Sequence, residues 1–348
     1  MRAEVGTTAT FLILPQGARA CGMGQAFVAV ADDATGPHYN PAGPALRPWQ
    51  ESCLPWPVEA HLSHSPWMPV FDLDDLYLRY SSVTQNIPRV GTLVVGSTYL
   101  HVGEVMGTDE NNNETGAFAI ADMAISFNYS ARLTPSVSVG ATFKDIASQL
   151  SSGCATTASA WDFGVLYRPL SHTNTGNSIS FHGPSFGLGL ANCGRDMRYG
   201  IGTGDLLPRL LRIGLAQEIL YARCARLLVS TEVNKIMVNH NEGTLAEELR
   251  ESKRCIGAEL ALVAPLGRIL GLPAHRVVLS SAFRGGYYHD REASNVPRGR
   301  TAGLGVGLSV TYRQGLAPLH TQVDYATIEP PEDLGVTHTR VYSFSMAL

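Results

Sequence analysis

The adjacent carboxylates Asp32 and Asp33 are the residues of this sequence best placed for proton transfer. An acid–base pair needs a second titratable partner within reach, and no partnered His or second carboxylate cluster stands out for them. With Thr35 they read instead as caps on a short helix running into the Asn40-Pro41 turn. Gly22-Met23-Gly24 invites a phosphate-cradle reading. It lacks the preceding strand, the Lys-Ser/Thr and the third Gly that such a cradle requires. His61 and His64 sit three apart in an alternating run, which sends them to opposite faces and prevents a shared metal. Six Cys (21, 53, 154, 193, 224 and 255) contain no Cys-x-x-Cys pair and no His at zinc spacing. They read as small apolar residues, with any disulfide pairing left open. No Gly-x-Ser-x-Gly or Ser/His/Asp set stands out. The expectation is therefore no enzyme, no metal and no cofactor.

The elements that would position these residues follow from composition. Of 348 residues, 16% are charged, against roughly 25% in an average soluble domain. Gly is abundant at 35 residues, and the apolar fraction is 45%. A membrane helix needs about 20 mostly apolar residues, and the richest stretch, 260–272, is interrupted by Pro265, Gly267, Arg268 and Gly271. A net charge of −4 with no Lys/Arg block predicts no nucleic-acid partner. A basic n-region and long apolar h-region are missing at the start, where Phe11–Leu14 ends at Pro15. The opening residues read as mature chain, or as one begun downstream of a signal.

From about residue 57 onward, apolar residues alternate with small or polar ones. Met123, Ile125, Phe127 and Tyr129 oppose Ala124, Ser126, Asn128 and Ser130; Leu304, Val306, Leu308 and Val310 oppose Gly305, Gly307 and Ser309. Period two is the mark of a strand. Roughly fourteen such runs are predicted, near 57–64, 76–84, 90–103, 117–131, 136–149, 158–168, 184–193, 209–221, 224–237, 253–263, 276–285, 302–313, 317–327 and 338–348. Many are too long for a soluble sheet and suit a tilted strand crossing a bilayer in about 9–11 residues. Backbone in lipid must be fully paired, so the sheet closes into a barrel. The Val/Ile/Leu/Phe set then faces lipid, while Gly, Ser and Thr face the lumen with Arg212, Glu218, Glu232 and Asp324. Tight turns at Leu133-Thr134-Pro135 and Tyr221-Ala222-Arg223 mark one end. The segments 104–116, 169–183, 194–208, 238–252 and 286–301 are assigned to the external end; within them 244–253 could form an exposed helical turn or two, but reads first as a solvated charge run.

Residues 1–56 break the alternation and form the first of two predicted units; 57–348 form the second. GARACGMGQAFVAVADDATGPHYNPAGPAL reads as a tightly packed plug, its Gly and Ala allowing close backbone approach. This stretch resembles the N-terminal signature of the PorV/PorQ-like branch of the FadL outer-membrane protein superfamily. LPRLLRIGLAQEI at 207–219, STEVNK at 230–235, IGAEL at 256–260 and THTRVYSFSMAL at 337–348 extend the resemblance.

The resemblance implies a fourteen-stranded bacterial outer-membrane barrel with its N-terminal segment as a lumenal hatch. It also implies passive uptake of hydrophobic small molecules such as long-chain fatty acids, lipids or detergent. Gly22, Gly24, Asp32, Asp33, Asn40, Pro41, Ala42 and Gly43 would be the hatch and gating residues. Gly91, Gly96 and Gly103 would mark a strand kink through which solute passes into outer-membrane lipid. The alternative implied is a type IX secretion component that binds C-terminal domains of secreted cargo. Its grip would be Tyr287, Tyr288 and Arg291, the aromatic and Arg cluster of the 286–301 loop.

Overall fold

The computed structural model describes residues 7–47, 57–66, 76–108, 114–151, 154–169, 173–174, 179–181, 183–199, 204–222, 224–237, 252–268, 271, 277–290, 298–311, 319–329 and 338–348. The strands are β1 (Val58–Pro66), β2 (Tyr77–Ile87), β3 (Gly91–Thr108), β4 (Glu114–Thr134), β5 (Val137–Ser151), β6 (Cys154–Tyr167), β7 (Thr173–Asn174) and β8 (Ile179–Phe181). They continue with β9 (Ser185–Gly194), β10 (Leu210–Ala222), β11 (Ala225–Ile236), β12 (Lys253–Pro265), β13 (Val277–His289), β14 (Arg298–Val310), β15 (Leu319–Glu329) and β16 (Thr339–Ala347). Each of the fourteen predicted runs coincides with one of these. Setting aside the short β7 and β8, every strand pairs antiparallel with its neighbour in sequence. The first meets the last through Glu59↔Ala347 to His64↔Tyr342, closing a fourteen-stranded barrel. None of the described helices is long and apolar enough to cross a membrane.

Alternation decides which face meets lipid. Phe127, Leu304 and Val323 are 51%, 52% and 59% exposed on the outer wall, whereas Arg212, Glu232 and Asp324 are 4%, 2% and 4% exposed on the inner one. A water-soluble sandwich would reverse this arrangement, because burying charge while exposing large apolar residues costs on both counts.

Two loop assignments change. Segment 104–116 is mostly strand, β3 running to Thr108 and β4 starting at Glu114, while 109–113 lie outside the described residues. Segment 169–183 leaves β6 at the same end as the Thr134–Val137 turn, so strand parity puts it at the short-turn end, and β8 pairs there with the end of β10. Tyr287 and Tyr288 also belong to strand β13 rather than to a loop, while Arg291 lies outside the described residues. The predicted helical stretch at 244–253 falls outside them too, apart from Ser252 and Lys253.

Residues 7–47 contact wall strands around most of the circumference, which requires them to lie inside the barrel. The Ala34 carbonyl accepts from Tyr80 and Ser82 on β2, and Pro41 accepts from Asn128 on β4. Ala42 accepts from Ser138 on β5, Ala26 accepts from Ser230 on β11, and the Ala18 N–H donates to Ser343 on β16. Two short helices, α1 (Ala18–Gly22) and α2 (Gly36–Tyr39), are the only α-helical turns of this segment.

Candidate functional site

The lumen is where side-chain chemistry concentrates. Arg19 on α1 spreads its guanidinium between the wall and the chain that follows it. Nε and Nη2 donate to the two oxygens of Glu259 on β12 at 2.8 and 2.9 Å. Nη1 reaches Asp32 at 2.6 Å and Asp33 at 3.4 Å. Glu259 also accepts Arg284 Nε at 2.7 Å, and Arg284 Nη1 meets Asp324 at 2.6 Å. Four wall or segment carboxylates and two guanidiniums therefore form one continuous chain of charge-assisted hydrogen bonds.

Burial alone would raise the Asp32 carboxyl, but Arg19, Arg168 and Arg226 outweigh it and hold the group down to about 2. Arg19 is pushed well above its ordinary value: burial opposes the charge, and Asp32 and Glu259 together override it. A second anchor is Glu232 on β11. Its Oε2 accepts both the Phe27 and Val28 N–H groups at 2.7 Å, while Oε1 pairs with Arg212 at 3.0 Å. Arg47 pairs with Glu59 on β1 where the segment leaves the lumen.

Small residues on both surfaces bring backbone against backbone. A Cβ on Gly164 would strike the Asn40 carboxamide, one on Gly140 the Pro41 carbonyl, and one on Gly257 the Met23 carbonyl. Gly24 requires its residue type twice over, with a φ of +63° and the Ile256 carbonyl pressed against it.

The candidate residues named from sequence fall as follows. Gly22 and Gly24 both meet Thr301 on β14, the first by its carbonyl at 3.0 Å and the second by its N–H at 2.9 Å. Asp33 accepts from the Thr35 N–H and hydroxyl at 2.8 and 2.6 Å, building the turn ahead of α2. Thr35 itself makes no side-chain cap, and Asp32 is an ion-pair partner rather than a cap. Asn40 donates to the Val28 and Val165 carbonyls at 2.9 and 3.0 Å and accepts from the Ala42 N–H, joining two parts of the segment to β6. Gly43 packs on the Ala31 carbonyl.

On β3, Gly91 opens the strand and Gly96 sits in regular pairing with Ser126. Gly103, at φ +107°, lies where the β3–β4 register slips. Arg19, Glu259, Arg284, Lys144 and Asp162 were not singled out. For the four wall residues the signal was a lone charge at an inward position of an apolar strand, as with Asp162 between Trp161 and Phe163; Arg19, on α1, carried no such signal.

Beside α1, the network borders a cavity of about 190 Å3 whose lining includes Arg19, Asp32, Arg47, Glu59, His61 and Asp324. It is a polar space, suited to water or charged groups rather than to an acyl chain. Cys21, Cys193, Cys224 and Cys255 are free thiols; Cys53 and the Cys154 side chain lie outside the described residues. No group of His, Cys, Asp or Glu suited to a metal ion occurs among the described residues.

Among solved structures, the chain is similar to a Pseudomonas aeruginosa FadL homologue, with a TM-score of 0.52 at 9% identity, covering 96% of this chain and 98% of that one. The CymD monoaromatic hydrocarbon channel gives 0.48 at 12% identity, covering 99% and 98% of the two chains. The Pseudomonas putida toluene transporter TodX gives 0.46 at 9%, covering 95% and 98%. No curated protein matches. The first of these likenesses shows the FadL-type barrel fold and agrees with the outward apolar wall. A family model described as type IX secretion system protein PorV matches residues 1–242, and the chain belongs to that family.

Proposed function

We propose that this protein is an outer-membrane component of type IX secretion that binds secreted cargo domains, with its barrel serving as anchor rather than conduit. In this reading residues 1–56 are a fixed hatch and 57–348 the barrel that carries it. The observation that carries the proposal is the chemistry of the lumen. The N-terminal segment fills it, buried ion pairs at Glu259, Glu232 and Glu59 hold it, and the adjoining cavity is lined by charge. Releasing such a segment would uncover unpaired buried charges, each break costing about 3–5 kcal/mol. That is a large barrier to set against a diffusing solute.

The test is a binding measurement. Purified protein in detergent is titrated with the C-terminal domain of a type IX secreted protein, and the same protein is placed in a planar bilayer. Saturable binding of the domain with a non-conducting barrel is expected. Absence of binding, together with saturable uptake of a fluorescent long-chain fatty acid, would overturn it.

A second reading, uptake of hydrophobic molecules such as long-chain fatty acids into outer-membrane lipid, is favoured by one feature. The β3–β4 pairing slips at Gly103, on the strand whose glycines suggested a kink. On that reading the hatch residues from Gly22 to Gly43 would move with each solute, and Gly103→Val would abolish uptake without affecting cargo binding.

A further inference from the structure

The barrel wall carries an irregularity between β6 and β9. On β9, Ala191 and Asn192 together face the single residue Asp162 of β6: Phe163 pairs with Leu190, but Trp161 pairs with Cys193. Asn192 takes the left-handed conformation at φ +61°. Such a bulge bends its strand and ends regular pairing. It is held from inside. Asp162 accepts the Asn192 N–H at 2.8 Å, Lys144 bridges Asp162 and the Asn192 carboxamide oxygen at 2.7 and 2.8 Å, and the Asn192 amide donates to the Pro208 carbonyl at 2.9 Å. Three hydrogen bonds on one bulged residue, with the Lys144–Asp162 ion pair beside them, mark a built feature.

Outside, where β9 bends away, a cleft of about 830 Å3 opens between the ends of β6, β9, β10 and β11. Trp161, Leu190 and Met237 make its apolar floor, and Arg195 and Arg209 stand on its rim. Both arginines are exposed, and neither has an ion-pair partner among the described residues. The cleft lies at the end with the external connections. Its depth is set by its neighbours: Trp161 belongs to the lipid-facing row with Phe163, Val165 and Tyr167, while one pair above it Asp145 projects outward opposite Ser159. Trp161 therefore sits at the edge of the apolar band and the guanidiniums at headgroup level, as aromatic girdles do.

We propose that this cleft is a binding site for an acylated phosphate of the outer leaflet, an anionic lipid whose chain lies on Trp161, Leu190 and Met237 and whose phosphate is taken by Arg195 and Arg209. Guanidinium matches phosphate in charge and in bidentate geometry. The apolar floor requires an attached chain, which free phosphate lacks. The site is independent of the lumen and of the reading given to it.

The experiment is native mass spectrometry of the full chain released from detergent after incubation with lipid A, with phosphatidylcholine or with inorganic phosphate. Wild type is expected to retain lipid A in preference to phosphatidylcholine and to keep it in excess inorganic phosphate. Arg195→Ala/Arg209→Ala should lower retention about tenfold, equivalent to ~1.4 kcal/mol. Arg89→Ala, in the tight β2–β3 turn at the other end, should leave it unchanged, and Arg195→Lys/Arg209→Lys should keep part of it. Heat-modifiable gel migration checks that each variant is a folded barrel. Equal retention of phosphatidylcholine, displacement by inorganic phosphate, or a folded double-Ala variant that binds like wild type would each overturn the site.

Discussion

Arg19 and Glu259, 240 positions apart, meet through two hydrogen bonds of 2.8 and 2.9 Å, one of the ties that join the N-terminal segment to the barrel wall. Both are largely buried, so the pair fixes position more than it adds stability: desolvation of each charge offsets much of the attraction. Removing one partner is a different matter, because the other stays buried and uncompensated. Arg19→Ala takes the nearest guanidinium from Asp32 and one of two from Glu259, leaving Asp32 to Arg168 and Arg226 at 3.9 Å and Glu259 to Arg284. It should cost up to about 3 kcal/mol, the lower end for breaking a buried pair, lower the temperature at which the unboiled barrel loses its compact gel migration, and expose residues 7–47 to protease. Glu259→Gln should have a smaller effect, since Arg19 retains Asp32.

The depressed Asp32 carboxyl fixes a pH window. Its ordinary value is 3.8 and its folded value about 2. A lowered value means that the folded state holds the charged form better than the unfolded chain does. That contribution is complete above pH 4 and disappears as pH falls from about 4 to about 2. Protection of residues 7–47 in hydrogen exchange should therefore weaken across this interval in wild type. In Asp32→Asn the weakening in that window should be reduced, on a lower baseline at neutral pH.

Steric fit gives a prediction independent of charge. Gly164 on β6 leaves no room for a side chain, its Cβ position being filled by the Asn40 carboxamide and the Pro41 ring, whereas Gly285 on β13 faces open space. Overpacking a filled site costs about 1–3 kcal/mol. Gly164→Val should destabilise the seated segment and raise bilayer conductance; Gly285→Ala should do neither.

The strands were legible because a membrane wall enforces strict alternation, as Phe127 outside and Asn128 inside illustrate. The far ends of β3 and β4 were not, because 104–108 and 114–116 extend past the apolar band, where polar residues carry no penalty and resemble loop. Length alone could not assign 169–183 to an end; only the parity of β5 and β6 does. Within the lumen, Arg212, Glu232 and Asp324 were visible as charges of inward parity. Their partners were not, since nothing local relates Arg19 to Glu259 or the Phe27 N–H to Glu232. Spacing reveals which way a residue points, but closure of the barrel decides what it meets.

The free thiols report on all of this without altering the network. Cys21 on α1 is fully buried, and burial pushes its thiol up to about 12, with Lys253 opposing only weakly. Reaction with a maleimide requires both access and thiolate, so Cys21 lacks each at pH 7.5. Cys224, in the turn before β11, is exposed. Peptide mapping after a short maleimide pulse should find Cys224 modified and Cys21 unmodified in wild type. Cys21 should become reactive in Arg19→Ala and Gly164→Val, in proportion to the loss of seating. If Cys21 reacts in wild type as fast as Cys224, the segment spends its time unseated and the fixed-plug account fails. If it stays protected in both variants, the ion pair and the glycine contact do not hold the segment in place.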